Sequence, residues 1–242
     1  MSTEAGPFGS VGVWHYYAAV GNREAKLATL VELLHALQAT CRRPLAICCS
    51  ARDSLDSLVY WLLRSRSFAV TAIHSDLTDK ERELALGEFK RGLEAPGPAA
   101  GGGRDRPAPS EGEPASRDAA LGSWTGSLPG PGPGPALGLQ VRPEENLVSV
   151  LALTDVCLKA LPKELLPLGI SLLVEFDLPP TKEIYTRRVS ALFGSGKERR
   201  SQRCVVVDMV EAGAIGAFRN LESFAASPVM EMPVRVGDMF AP

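Results

Sequence analysis

Residues 185–194 read Tyr185-Thr186-Arg187-Arg188-Val189-Ser190-Ala191-Leu192-Phe193-Gly194. Paired arginines can meet the negative charge of a phosphate. A site that stabilises a transferring phosphoryl group needs several arginines at fixed spacing. Only the first part of such a string is present, so the string reads as a remnant of a phosphate site. A wider basic group consists of Arg187, Arg188, Lys197, Arg199, Arg200 and Arg203. On charge alone it reads as a solvated face or as a local anion patch.

Other chemistry is hard to assemble from these residue types. The histidines His15, His35 and His74 are scattered, with no Ser-His-Asp arrangement, convincing carboxylate pair or metal-ligand cluster around them. His35 reads as a helix-face residue and His74 as a turn residue beside Asp76. The cysteines Cys41, Cys48, Cys49, Cys157 and Cys204 lack the two-residue spacing of a zinc or redox motif, and read as reduced thiols, with Cys48 and Cys49 on opposite sides of a strand. No Gly-x-x-x-x-Gly-Lys-Ser/Thr loop occurs, so no Mg²⁺–nucleotide cradle is expected. Gly194-Ser195-Gly196-Lys197 lacks the upstream spacing and reads as a turn.

The elements that must position these residues follow from apolar patterning. The chain of 242 residues is 45% hydrophobic, with 26 Lys+Arg against 28 Asp+Glu. That suits one core plus a flexible segment, and argues against gripping nucleic acid by bulk charge. Near-continuous apolar runs at 45–50, 69–73, 147–153, 171–176 and 204–207 suit parallel strands covered on both faces. Helical patterns lie between them. Asn22 opens one with Leu27, Leu30, Leu34 and Leu37 on its apolar face. Ser50 or Asp53 opens a second, with Leu55, Leu58, Val59 and Leu62. Thr78 and Glu81 form a capping box before Leu84, Leu86 and Phe89. The alternation predicts an α/β parallel sheet with right-handed crossovers.

Residues 93–146 stand apart, holding 10 of 19 prolines and 11 of 23 glycines, with Trp124 as their one large anchor. They read as a disordered Pro/Gly-rich insert between 1–92 and 147–242, which together form one discontinuous domain. An insert entering the amino end of a strand leaves the carboxyl, ligand-binding edge clear. Met1–Pro7 carries no basic start followed by an apolar run, and no stretch is long and apolar enough to span a membrane. An intracellular protein, cytoplasmic or nuclear, is expected.

Five strings fall at or beyond the carboxyl ends of the predicted strands. They are Cys49-Ser50-Ala51-Arg52, His74 to Arg82, Val150 to Asp155, Phe176-Asp177-Leu178-Pro179, and Tyr185-Thr186-Arg187-Arg188. In this order they resemble the C-terminal RecA-like domain of DEAD-box RNA helicases, in particular the translation initiation factor 4A branch. Trp14-His15-Tyr16-Tyr17 and Glu231-Met232-Pro233-Val234-Arg235-Val236 fit that branch too. The resemblance implies a RecA-like, P-loop NTPase-type sheet with helices on both faces. It also implies RNA or linkage roles for Ser50, Arg52, Asp76, Arg82, Thr154 and Asp155, and a nucleotide-side role for Arg188. On the residues alone, Ser50 and Thr78 are equally helix caps, Asp76 a turn residue and Arg82 an ion-pair partner.

The chain departs from the family pattern first on the RNA side, at Ser75 and Asp79, and then more heavily on the nucleotide side. Ser75 stands for a glycine and Asp79 for a glutamine. Lys159-Ala160-Leu161-Pro162 replaces Arg-Gly-x-Asp. Arg187 stands for the histidine of the last motif, Ser190 for its glycine and Ala191 for its second arginine, and the third arginine is lost. Losing an arginine finger costs on the order of 10³-fold or more in phosphoryl transfer. The expectation is therefore a degenerate helicase domain that is not an enzyme and has no ATP or other cofactor. Its expected partners are RNA, a helical-repeat scaffold of the factor 4G middle-domain type, or both. The alternative is an RNA-binding half working in trans with a separate ATP-binding half as a helicase.

Overall fold

The computed structural model describes residues 12–94, 147–194, 197 and 202–240. Seven parallel strands form one sheet: β1 (Gly12–Val20), β2 (Leu45–Cys49), β3 (Phe68–Ile73), β4 (Val148–Thr154), β5 (Leu172–Glu175), β6 (Arg203–Glu211) and β7 (Val229–Glu231). Their spatial order is β3-β4-β2-β5-β6-β1-β7. The helices are α1 (Arg23–Thr40), α2 (Arg52–Ser65), α3 (Asp79–Glu94), α4 (Asp155–Lys159), α5 (Lys182–Phe193) and α6 (Ile215–Phe224). The RecA-like α/β sheet expected from the sequence is thus present, with helices on both faces.

The five predicted strands are mainly apolar because core layers cover both faces of the sheet, with the buried Glu175 of β5 as an exception. One core layer packs Leu30, Leu34, Leu37, Leu55, Leu58 and Leu62 of α1 and α2 against the sheet. The other packs Leu86, Phe89, Val189, Leu192 and Phe193 of α3 and α5 against the opposite face. Adjacent Cys48 and Cys49 contribute to different layers, as strand alternation requires. Both are fully buried, and burial pushes the Cys48 thiol up to about 12 and the Cys49 thiol higher still.

Helix starts divide between caps that match the sequence and one that does not. The Asn22 side chain accepts from the Ala25 amide at 2.8 Å. In the capping box, the Thr78 amide and hydroxyl both donate to Glu81 Oε2, at 2.7 and 2.8 Å, holding that carboxyl below its usual range. Helix α2 begins without a side-chain cap, and its N-cap residue is Ala51, not Ser50 or Asp53. Ser50 is engaged elsewhere. Leu84 does not join the core and is 64% exposed. Helix α3 runs through Glu94, two residues beyond the expected boundary, because Leu93 continues the Leu86–Phe89 stripe and packs on the core.

The rest of the expected insert, with Trp124, lies outside the described residues, as do Met1–Pro7, Ser195, Gly196, Arg199 and Arg200. The chain re-enters the sheet at the amino end of β4. No helix among the described residues is long and apolar enough to cross a membrane.

Candidate functional site

At the carboxyl edge of the sheet, the sequence-predicted Ser50 and Asp155 meet around one side chain, Arg188. Arg188, on the inner face of α5, is completely buried. Its Nε and Nη2 donate to Asp155 Oδ1 and Oδ2 at 2.7 and 2.8 Å, a two-pronged clasp. Its Nη1 donates to the Asp177 carbonyl at 2.7 Å, and its Nη2 reaches Ser50 Oγ at 3.4 Å. One guanidinium therefore joins the segments that follow β2, β4 and β5. Burial opposes its charge, but the Asp155 hydrogen bonds and nearby Glu175 outweigh burial and keep it protonated.

For Arg188 this placement rules out the solvated-face reading of the basic group, one of the two that charge alone left open. The side chain faces inward because α5 alternates Tyr185, Arg188, Val189, Leu192 and Phe193 toward the sheet. Ala191, standing where the family pattern has an arginine, is also buried. Ser190 back-bonds to the Thr186 carbonyl at 2.7 Å. Ala160 closes α4 at φ −95° and ψ 4°, angles an alanine accepts, so this turn makes no demand for glycine.

The residues implied to meet RNA divide by accessibility. Ser50 is exposed, and its amide donates to Asp177 Oδ2 at 2.9 Å. Arg52 binds Asp56 Oδ1 at 2.6 Å and Asp76 Oδ2 at 3.0 Å. Arg82 binds Asp79 Oδ1 at 2.7 Å. Thr154 and Asp155 are buried, Thr154 without a capping bond and Asp155 in the clasp. Both arginines in the set face a carboxylate of this same chain, as Arg188 does. Asp79, in the family's glutamine position, supplies one of those carboxylates. His74 sits beside Asp76 at 3.9 Å, with burial and Arg52 lowering its basicity, and His35 is an exposed helix residue against Phe68.

Sequence reasoning missed the chemistry beneath this edge. His15 on β1 is fully buried, with Nδ1 3.0 Å from Asp208 Oδ2 and Nε2 3.0 Å from the Tyr185 hydroxyl. Glu175 and Asp208 are register partners on β5 and β6, and both are fully buried. The available signal was a single acid inside each of two apolar runs, Leu172-Leu173-Val174-Glu175-Phe176 and Val205-Val206-Val207-Asp208-Met209. Lys26, also buried, binds Glu211 at 2.9 Å and lies 4.6 Å over the Phe176 ring. An open, mainly apolar groove of about 510 Å³ lies beyond β1 and β6, lined by Tyr17, Val20, Glu211 and Phe218 among others. No cluster of metal-ligating side chains occurs among the described residues.

No protein-family model matches the chain. It is 25% identical over 231 residues to eukaryotic initiation factor 4A-III homolog B of Oryza sativa subsp. japonica, covering 94% of this chain and 40% of that protein. The chain thus spans about two-fifths of the length of the curated relative it matches. Among solved structures, the C-terminal domain of the DEAD-box protein Dbp5 aligns with a TM-score of 0.56 at 16% identity, covering 94% of both chains. The E. coli DEAD-box protein SrmB, solved bound to regulator of ribonuclease activity A, aligns with a TM-score of 0.54 at 15% identity, covering 95% of this chain and 94% of that one. In sequence and in fold, the chain is similar over nearly its whole length to the C-terminal RecA-like domain of DEAD-box RNA helicases, and in sequence to the initiation factor 4A group.

Proposed function

We propose that this domain acts as a non-catalytic interaction module related to RNA helicases, and that a protein partner is its principal ligand. The observation carrying this reading is the burial of Arg188. The arginine retained from the family's phosphate-facing motif is spent on Asp155, Asp177 and Ser50, and a residue held that way is poorly placed to follow charge developing on a phosphate. Buried Ala191 stands where the pattern would place the next arginine. The reading needs neither ATP nor a metal ion. A protein partner also fits the SrmB precedent, in which a domain of this fold was solved with a bound protein. A helical-repeat scaffold of the factor 4G middle-domain type is the partner class implied by the initiation factor resemblance.

The test is affinity purification of the full chain from native cells with and without ribonuclease, together with an ATPase assay on the purified chain plus RNA. A protein partner retained after ribonuclease, and no turnover, is the expected result. Turnover abolished by Arg188→Ala overturns the reading.

A second reading, RNA contact, draws on the gathering of Ser50, Arg52, Asp76 and Arg82 at one edge. It requires an RNA affinity that falls steeply with salt and a slope that flattens in Arg52→Ala and Arg82→Ala. Their carboxylate partners favour weak binding with a shallow slope. If a working helicase forms in trans, a separate ATP-binding half will restore RNA-dependent hydrolysis.

A further inference from the structure

Below the Arg188 clasp lies a cluster that nothing in the interaction reading uses. Glu175 and Asp208 stand opposite one another on neighbouring parallel strands, so their side chains share one face of the sheet. Cys48 is the register partner of Glu175 on its other side. Arg188 Nη1 of α5 lies 3.7 Å from Glu175 Oε1. His15 of β1 bridges Asp208 to the Tyr185 hydroxyl. Asp155 of α4 completes the charged surroundings through Arg188. Two carboxyl groups enclosed this way resist ionising together, and Arg188, already bound by Asp155, is the fixed cation beside them.

We propose that Glu175, Asp208 and His15 form a buried proton-sharing device that sets how firmly Arg188 is held by Asp155. With a proton on Glu175, the guanidinium rests on Asp155 and fastens the Ser50, Asp155 and Asp177 segments. When that proton leaves, Glu175 becomes a second anion for the same guanidinium, draws it toward the sheet and slackens the three segments.

The direction of the pH dependence follows from the environment of each group. Burial, then the neighbouring Asp208, raises the Glu175 carboxyl well above its usual range. Burial raises Asp208 to about 7. Burial lowers His15 to about 4, although Glu175 pulls it the other way. The two acids are protonated in the fold where an unfolded chain has lost those protons, so they stabilise it on the acid side. The contribution of Asp208 is full below the ordinary carboxyl value of about 4 and is lost by about 7, and that of Glu175 is lost over a window that closes well above its usual range. His15 acts in the opposite sense, but its window closes by about pH 6.5, where an unfolded histidine is itself neutral. Above that pH only the acids remain, and the fold weakens with rising pH.

The test is a titration of the full-length chain, carboxyl-labelled with ¹³C and guanidinium-labelled with ¹⁵N, from pH 5.5 to 9.5 by NMR. The expected result is one glutamate carboxyl titrating well above the usual carboxylate range, the Arg188 Nε–H resonance moving over the same step, and a melting midpoint lower at pH 9 than at pH 6 by on the order of 5 °C. In Glu175→Gln the Arg188 resonance stays constant and most of the fall in midpoint disappears. If every glutamate carboxyl of the wild-type chain titrates within the usual carboxylate range, or Arg188 ignores the step, the device does not exist. The wild-type titration decides the matter even if Glu175→Gln fails to fold.

Discussion

At the residue scale, the decisive contrast is between arginines of similar sequence prominence and different surroundings. Arg188 is enclosed with its counter-ion, and removing it leaves Asp155 buried without a cation. Arg188→Ala is expected to destabilise the chain by about 3–5 kcal/mol in urea denaturation. Arg52 holds Asp56 and Asp76 at an exposed site, where screening by water leaves a pair little net value. Arg52→Ala is expected to cost under about 1 kcal/mol by the same measurement. Sequence spacing placed Ser50, Asp155 and Arg188 near the edge, yet could not show that they touch. That contact depends on α5 turning its Arg188 face inward, a tertiary choice that the short string Tyr185–Gly194 does not encode alone. The partnership of His15 was hidden for a related reason: a lone histidine among aromatic residues acquires its meaning only when β6 brings Asp208 alongside.

At the scale of elements, local signals were legible where they answered local needs. Asn22 and the Thr78–Glu81 pair satisfy amides within their own helices, so short-range patterns revealed them. Asn22→Ala is expected to cost about 1 kcal/mol, read as a lowered urea midpoint at unchanged slope. Ser50 deceived because its hydroxyl and amide serve Arg188 and Asp177, partners more than a hundred residues away. The apolar face of α3 shows how far periodicity reaches. Leu34→Ala, in the heart of the α1 layer, is expected to cost about 2–5 kcal/mol, while Leu84→Ala on exposed α3 surface stays within about 0.5 kcal/mol. Strands β2 to β6 were readable as apolar runs because both of their faces are covered. Strand β7, three residues of half-buried and exposed side chains, leaves almost no pattern, and β1 mixes aromatic, small and polar residues at the margin of the sheet.

At the scale of the whole molecule, the five cysteines provide a test of how tightly the fold is closed. None forms a disulfide, four are buried, and Cys41 alone is partly accessible at the end of α1. A thiol reagent applied to the native chain at pH 8 is expected to label one cysteine quickly, and five after denaturation. The strand order has a consequence for how the molecule comes into being. None of β1, β2 and β3 pairs with another of the three: β1 lies between β6 and β7, β2 between β4 and β5, and β3 against β4. During vectorial synthesis β1, β2 and β3 therefore emerge before the described strands they pair with, and the sheet is knitted only when the second stretch arrives. Two polypeptides, 1–94 and 147–242, are each expected to remain unstructured when expressed alone, and to recover the far-ultraviolet circular dichroism of the intact chain when produced together. The gene could thus be divided into complementing fragments at this point, like a split reporter.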